Sequence, residues 1–239
     1  MSVVINYGSG IPVVVTQERV MMMSARASVL LAILWSAFPM ACSASDLWAK
    51  NSETLRETSE TIDWVSPGHV AKIHADIDKG QLTARGKVID IQDVMNPGLT
   101  EVNWSNEANA LFINSSDGGD VGTWTTRVFA ISANGVREVK VGAAVSKQPF
   151  PSATRRQYLN VVSVGWINSG SALLVLRQVP NSSDYRDMNL ARLYVVDIKS
   201  GRVIEQLTPA DAAKKYSAVF GPGAEAVVSQ SPNDVRLRR

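Results

Sequence analysis

From Trp64 onward, apolar residues come in short alternating runs cut by Gly, Asn, Asp, Ser and Pro. That texture predicts strands joined by tight turns. Before it, residues 45–61 are polar, with Leu47, Trp48 and Leu55 as the main apolar points. They read as a lead-in, either a short helix or an extended segment. Residues 209–216, with Ala212, Ala213, Lys214 and Lys215, predict a short helix between strand-rich units.

The strand-rich part repeats. Four segments align without gaps. They start at Trp64 (through Ile73), Trp104 (through Ile113), Trp166 (through Val175) and Phe220 (through Ser229). Each has an aromatic residue, a cluster of small and polar turn formers, then an apolar strand, which is the composition of a β-hairpin. The second and third copies extend into a further strand, Gly turn and strand, at Arg127 to Val139 and Arg192 to Leu207. Each full unit is therefore four antiparallel strands, one blade of a β-propeller. The reading gives an all-β chain of antiparallel four-stranded propeller-like blades, with an abbreviated unit at Trp64 and a last unit that stops after one hairpin. Propellers typically close with about four or more blades, so the set reads as incomplete. Its open strand edges invite self-association or partner pairing.

The succession of Trp, a Ser66-Pro67-x-Gly-like turn, an apolar strand, a Leu193-Tyr194-Val195-Val196-Asp197-like strand and a Gly turn resembles TolB-type β-propeller repeats. It is also similar to the propeller that precedes the catalytic domain in prolyl-oligopeptidase-type enzymes. The resemblance covers residues 62–230. It implies a non-catalytic module that binds a protein or peptide in the cell envelope. The alternative is the amino-terminal propeller of an exported serine peptidase whose catalytic domain is missing.

The apolar run at residues 27–40 carries no charge and is shorter than the roughly 20 residues of a membrane-spanning helix. It suits a signal-peptide core, with Arg26 before it and the small residues Ala41 to Ser45 after it. The readings that stay open are cleavage after Ala44, lipidation of Cys42, and an uncleaved anchor or buried apolar segment. The membrane then enters only through the signal peptide or a lipid anchor. Residues 1–20 do not fit a signal, and Met21, Met22 and Met23 stand before Arg26, so the expected start is one of these methionines. The organisation is leader and signal (1–44), lead-in (45–61) and repeats (62–239).

Composition narrows the chemistry. The 239 residues are 45% hydrophobic and 19% charged, with net charge +2, which gives no electrostatic ground for a nucleic-acid partner. A single cysteine excludes an intrachain disulfide and a cysteine-type zinc site. His69 and His74 are five apart on or beside one strand, which places them on opposite faces rather than around one metal. Asp76 to Gly80 departs from a calcium loop in its glycine and lacks the final glutamate, so it reads as a hairpin turn. The oxygen-rich run Asn114 to Asp120 reads as a loop, made pliable by Gly118 and Gly119. No nucleophile elbow, phosphate loop or dinucleotide fingerprint occurs. No catalytic, metal or cofactor site, and no cofactor, is expected. Trp64, Trp104 and Trp166 recur at the repeat position and read as core. Trp124, beside Gly122 and Thr123, reads as a surface contact.

Overall fold

The computed structural model describes residues 3–5, 13–15, 47–54, 61–76, 80–91, 99–116, 118, 122–152 and 158–231. The chain divides into Met1–Ser43 and Ala44–Arg239. In the first unit, β1 (Val3–Ile5) and β2 (Val13–Val15) pair antiparallel, with Val4 opposite Val14.

The second unit is all-β, built of three antiparallel blade-like sheets. The first sheet is a meander of β4 (Thr61–Val65), β5 (Ala71–Asp76), β6 (Gly80–Ala84) and β7 (Lys87–Ile91). The second runs β8 (Thr100–Trp104), β9 (Ala110–Ser116), β10 (Trp124–Ser132) and β11 (Gly135–Val139). The short strand β3 (Glu53–Thr54) adds to its β8 edge. The third comprises β12 (Asn160–Ile167), β13 (Ala172–Gln178), β14 (Ala191–Asp197) and β15 (Arg202–Leu207). The unit at Trp64 is thus a full four-stranded sheet, not an abbreviated one; residues 77–79 of the expected Asp76–Gly80 turn lie outside the described residues. In the described part of the lead-in, residues 47–54, the chain turns at Lys50–Asn51 (Asn51 φ 62°) and is strand at Glu53–Thr54. The helices are α1 (Val141–Ser146), α2 (Pro209–Tyr216) and α3 (Pro222–Gln230). The expected helix α2 is capped by Thr208, whose hydroxyl accepts from the Asp211 amide at 3.2 Å.

Alternation places the core. In β6, Gly80, Leu82 and Ala84 are buried while Thr83 is exposed. Trp64, Ile73 and Leu82 of the first sheet pack with Leu111, Ile113 and Phe129 of the second. The opposite face of the second sheet sets Phe112, Val128 and Val139 against Leu173, Val175, Tyr194 and Val196 of the third. The far face of the third sheet (Val162, Leu174, Leu176, Leu193) is covered by Trp48, Ala212, Phe220, Ala224 and Val227. Being covered on both sides, all seven residues of β13 are buried. Each fully buried large aliphatic side chain contributes about 1.5–3 kcal/mol. The far face of the first sheet is polar, with Asp63, Lys72, His74, Thr83 and Asp90 exposed.

Two sequence expectations are corrected. The gapless alignment slips at its first copy. Ser66 and Ser105 make the same five-residue turn: each hydroxyl accepts from the amide five residues on (Ala71, 2.9 Å; Ala110, 3.0 Å). Trp64 stands two residues before its serine and Trp104 one. A one-residue slip moves a side chain to the other face of its sheet. Trp64 therefore faces the following sheet, whereas Trp104 and Trp166 face the preceding one. Second, the segment after Phe220 is helix α3, not a hairpin. Pro222 sits in the first turn, where its fixed φ and missing N–H cost nothing. Ala224 and Val227 then fall on one helical face and are buried together with Phe220, which precedes the helix.

Candidate functional site

The second sheet carries a row of polar side chains on its face toward the third. Glu101, Asn114 and Thr126 are cross-strand neighbours on β8, β9 and β10. Asn114 is fully buried and behaves as a piece of strand. Its Oδ1 accepts from the Ser163 amide at 2.8 Å, and its Nδ2 donates to the Ser163 carbonyl at 2.8 Å. The hydroxyls of Thr126 and Ser163 share a hydrogen bond of 2.7 Å. This meets β12 where its pairing is irregular, between Ser163 and Gly165. Gly165 is required there, because a Cβ would lie 2.6 Å from the Val219 Cβ.

Glu101 is 1% exposed. The amides of Ala49 and Trp48 donate to its two oxygens at 2.8 and 3.2 Å, and Asn114 Nδ2 donates at 3.1 Å. Burial pushes its carboxyl above the ordinary range, against the opposing pull of hydrogen bonds from Ser52, Asn114, Ala49 and Trp48. On the same strand, Asn103 Nδ2 donates to the Lys50 carbonyl at 3.2 Å and to the Ser52 hydroxyl at 3.1 Å. Residues 47–54 thus form a strap along β8, fixed by side chains of the second sheet.

Beside the strap lies a cleft of about 390 Å³. Its walls are Asn51 and Glu53 of the strap, the turn from Val65 to His69, and Val102, Asn103 and Trp104 of β8. Gly68 (φ 71°) and His69 (φ 56°) both adopt left-handed backbone, which folds the turn over the cleft. Val65, Pro67 and Trp104 supply apolar surface and Glu53 and His69 polar groups, with Ser66, Val102 and Asn103 buried behind them. A concave, mixed surface of this size takes a few residues of an extended chain.

The residues singled out in the sequence are scattered. His69 lies in the cleft, while His74 lies on the outer face of the first sheet, with its Nδ1 2.8 Å from Asp63 Oδ1. Among the described residues, no cluster of three or more His, Cys, Asp or Glu side chains is placed to hold a metal. Asn114 to Ser116 are not loop but the end of β9, and residues 117 and 119–121 lie outside the described residues. Trp124 is half-buried and meets Trp48 edge-on, ring centroids 5.8 Å apart; its amide donates to Asn160 Oδ1 at 2.9 Å. Cys42 and the export segment lie outside the described residues. Among the described residues, no helix is long and apolar enough to cross a membrane.

Sequence reading missed Glu101 and Asn114. Glu101 and Asn103 alternate with Val102 and Trp104, a pattern that reads as a solvent-facing side. The strap and the third sheet cover that side instead. No protein-family model matches the chain, and no curated protein matches it.

Proposed function

We propose that this chain is an exported, non-catalytic, propeller-like module that binds an extended segment of a protein or peptide in the cleft beside β8. The observation that carries this reading is the cleft itself, an open concave surface of mixed character at the end of a strand edge. The β8 edge already accepts a short extended segment, since Glu53 pairs with Val102 and Thr54 with Glu101. A peptide next to it would use the same recognition: main-chain hydrogen bonds for affinity and alternate side chains in the cleft for selectivity. Export follows from the uncharged run at residues 27–40 and the small residues after it. The repeat pattern supports a TolB-like architecture, whose loops and edges serve partner binding.

A displayed library of short random peptides, panned against the chain, tests the proposal. Binders are expected to share an alternating pattern and to lose binding in Trp104→Ala and Val65→Asp. They should be unaffected by Ile204→Ala on the third sheet. Peptides that bind equally well to the cleft variants would refute it.

A further inference from the structure

The strap is held mostly by hydrogen bonds. Only Trp48 and Ala49 of it are buried among apolar side chains, while Lys50, Asn51 and Glu53 are exposed. Segments with little buried apolar area and exposed backbone open at low free energy. Besides the packing of Trp48 into the cluster of the third sheet and the Asn103 bonds to Lys50 and Ser52, two sets of main-chain hydrogen bonds attach the strap. One is to Glu101, whose carboxylate takes the amides of Trp48 and Ala49. The other is to the C-terminal end of the fold: Ala49 bridges Phe220, the Lys50 amide donates to the Val219 carbonyl, and the amides of Gly221 and Gly223 donate to the carbonyls of Trp48 and Leu47, each at 3.0 Å. The strap lies so close there that a Cβ on Gly221 would come 2.3 Å from the Leu47 carbonyl oxygen. Its far end, Glu53–Thr54, occupies the β8 edge that an extended peptide would use.

We infer that residues 47–54 are an intramolecular occupant of the β8 edge that docks and undocks as a unit on Glu101, and that its undocking enlarges the cleft for a peptide. The second half rests on the binding role proposed for the cleft; the first half does not. Protonation sets the balance. The groups facing Glu101 are Asn114 of β9, Thr126 of β10, Ser163 of β12, and Ser52 with the main-chain amides of the strap, none of them charged. The strap's charged side chains, Lys50 and Glu53, are exposed. A carboxylate dried by the strap with no cation beside it is costly, and the protonated carboxyl is not. The proton has an acceptor in the Ser52 hydroxyl, which can reverse its role from donor to acceptor. The sign follows. Docking raises the carboxyl's affinity for a proton, so docking is strongest below the ordinary glutamate value of about 4.3 and weakens as pH rises through the raised value.

Hydrogen exchange of the intact chain, corrected for intrinsic rates and followed from pH 4 to 8, reads this directly. The amides of Trp48, Ala49, Lys50, Gly221 and Gly223 are expected to lose protection together as pH rises, by up to about tenfold per unit within the titration window. The amides of β13 should stay unchanged. Glu101→Gln, which is neutral at every pH, should flatten the profile. A flat or opposite profile in the wild-type protein, separate opening of the two attachments, or parallel loss in β13 would overturn the strap, and the wild-type profile decides even where the variant does not fold. For the cleft, a panned peptide is expected to bind more tightly as pH rises, and equally at all pH values in Glu101→Gln. Titration of the strap with unchanged peptide affinity overturns the second half alone. Failure of every peptide to bind overturns that half together with the binding reading, and leaves the strap standing on the exchange data.

Discussion

The two interfaces between sheets are built differently, and β9 shows both. Leu111 and Ile113 point toward the first sheet, into an apolar cluster with Trp64, Ile73 and Leu82. Phe112 and Asn114, the alternate residues, point toward the third. There an apolar half around Phe112 adjoins the polar row of Glu101, Asn114, Thr126 and Ser163. An apolar interface is non-directional and tolerates small displacements. Hydrogen bonds from Asn114 to both backbone groups of Ser163 admit one register only. The first interface is held by area, the second by area and by position.

The largest effect is expected where the two interfaces are alike. Phe112→Ala and Leu111→Ala each remove a fully buried side chain. Phe112 also packs against Trp166, ring centroids 5.6 Å apart. Urea unfolding should show losses of about 3–5 kcal/mol for Phe112→Ala and about 2–5 kcal/mol for Leu111→Ala. Values below about 1 kcal/mol at either position would mean that the sheets are not stacked as described.

Asn114→Leu separates the two interfaces. The volume is kept, but the Ser163 amide and carbonyl lose their partner and Glu101 loses a donor. Buried groups left unpaired cost about 1–3 kcal/mol, so a net loss of about 2–3 kcal/mol is expected. Ile113→Leu, the neighbouring change on the dry side, should cost under about 1.5 kcal/mol. Equal effects at the two positions would erase the distinction. Gly165→Ala is next, at about 1–3 kcal/mol, because the added Cβ displaces Val219. A neutral result there would show that the turn at Val219 yields freely.

This division explains what could be read from the chain. Hairpins at Trp104 and Trp166 are legible because alternation and turn formers are local signals. Whether Trp64 is in phase with them is not, since two tryptophans one position apart in otherwise equivalent turns look alike until the strand register is known. The helix after Phe220 imitates a hairpin because Gly-Pro-Gly serves both as turn and as helix start. The three-residue spacing of Ala224 and Val227 is the one cue to a helical period. Glu101 gives no signal at all, and Asn114 reads only as the start of an oxygen-rich loop: polar residues in alternation predict solvent, and only the packing of the third sheet and the strap reverses that. The cleft shares this cause, since its walls come from three separate stretches of chain.

The smallest effect sharpens the comparison furthest, because it sets a second carboxylate against Glu101. Asp63 sits on the outer face of the first sheet with its side chain 49% exposed. Hydrogen bonds from His74 and Lys72 hold its carboxyl below the ordinary range. A group with a depressed value contributes stability above the unfolded value and loses it as pH falls through the folded one. Glu101, raised by burial, behaves oppositely, and its contribution fades as pH rises. Exposed pairs are weak, so Asp63→Asn should cost no more than about 0.5 kcal/mol at neutral pH and less at pH 3. Glu101→Gln should instead change the slope of stability between about pH 4.3 and neutrality, where Asp63 contributes no slope. Urea midpoints of the two variants across pH 3–8 check both signs. If the Asp63 variant altered the neutral slope and the Glu101 variant did not, burial would be the wrong account of the polar row. The row would then be as open to water as the outer face of the first sheet.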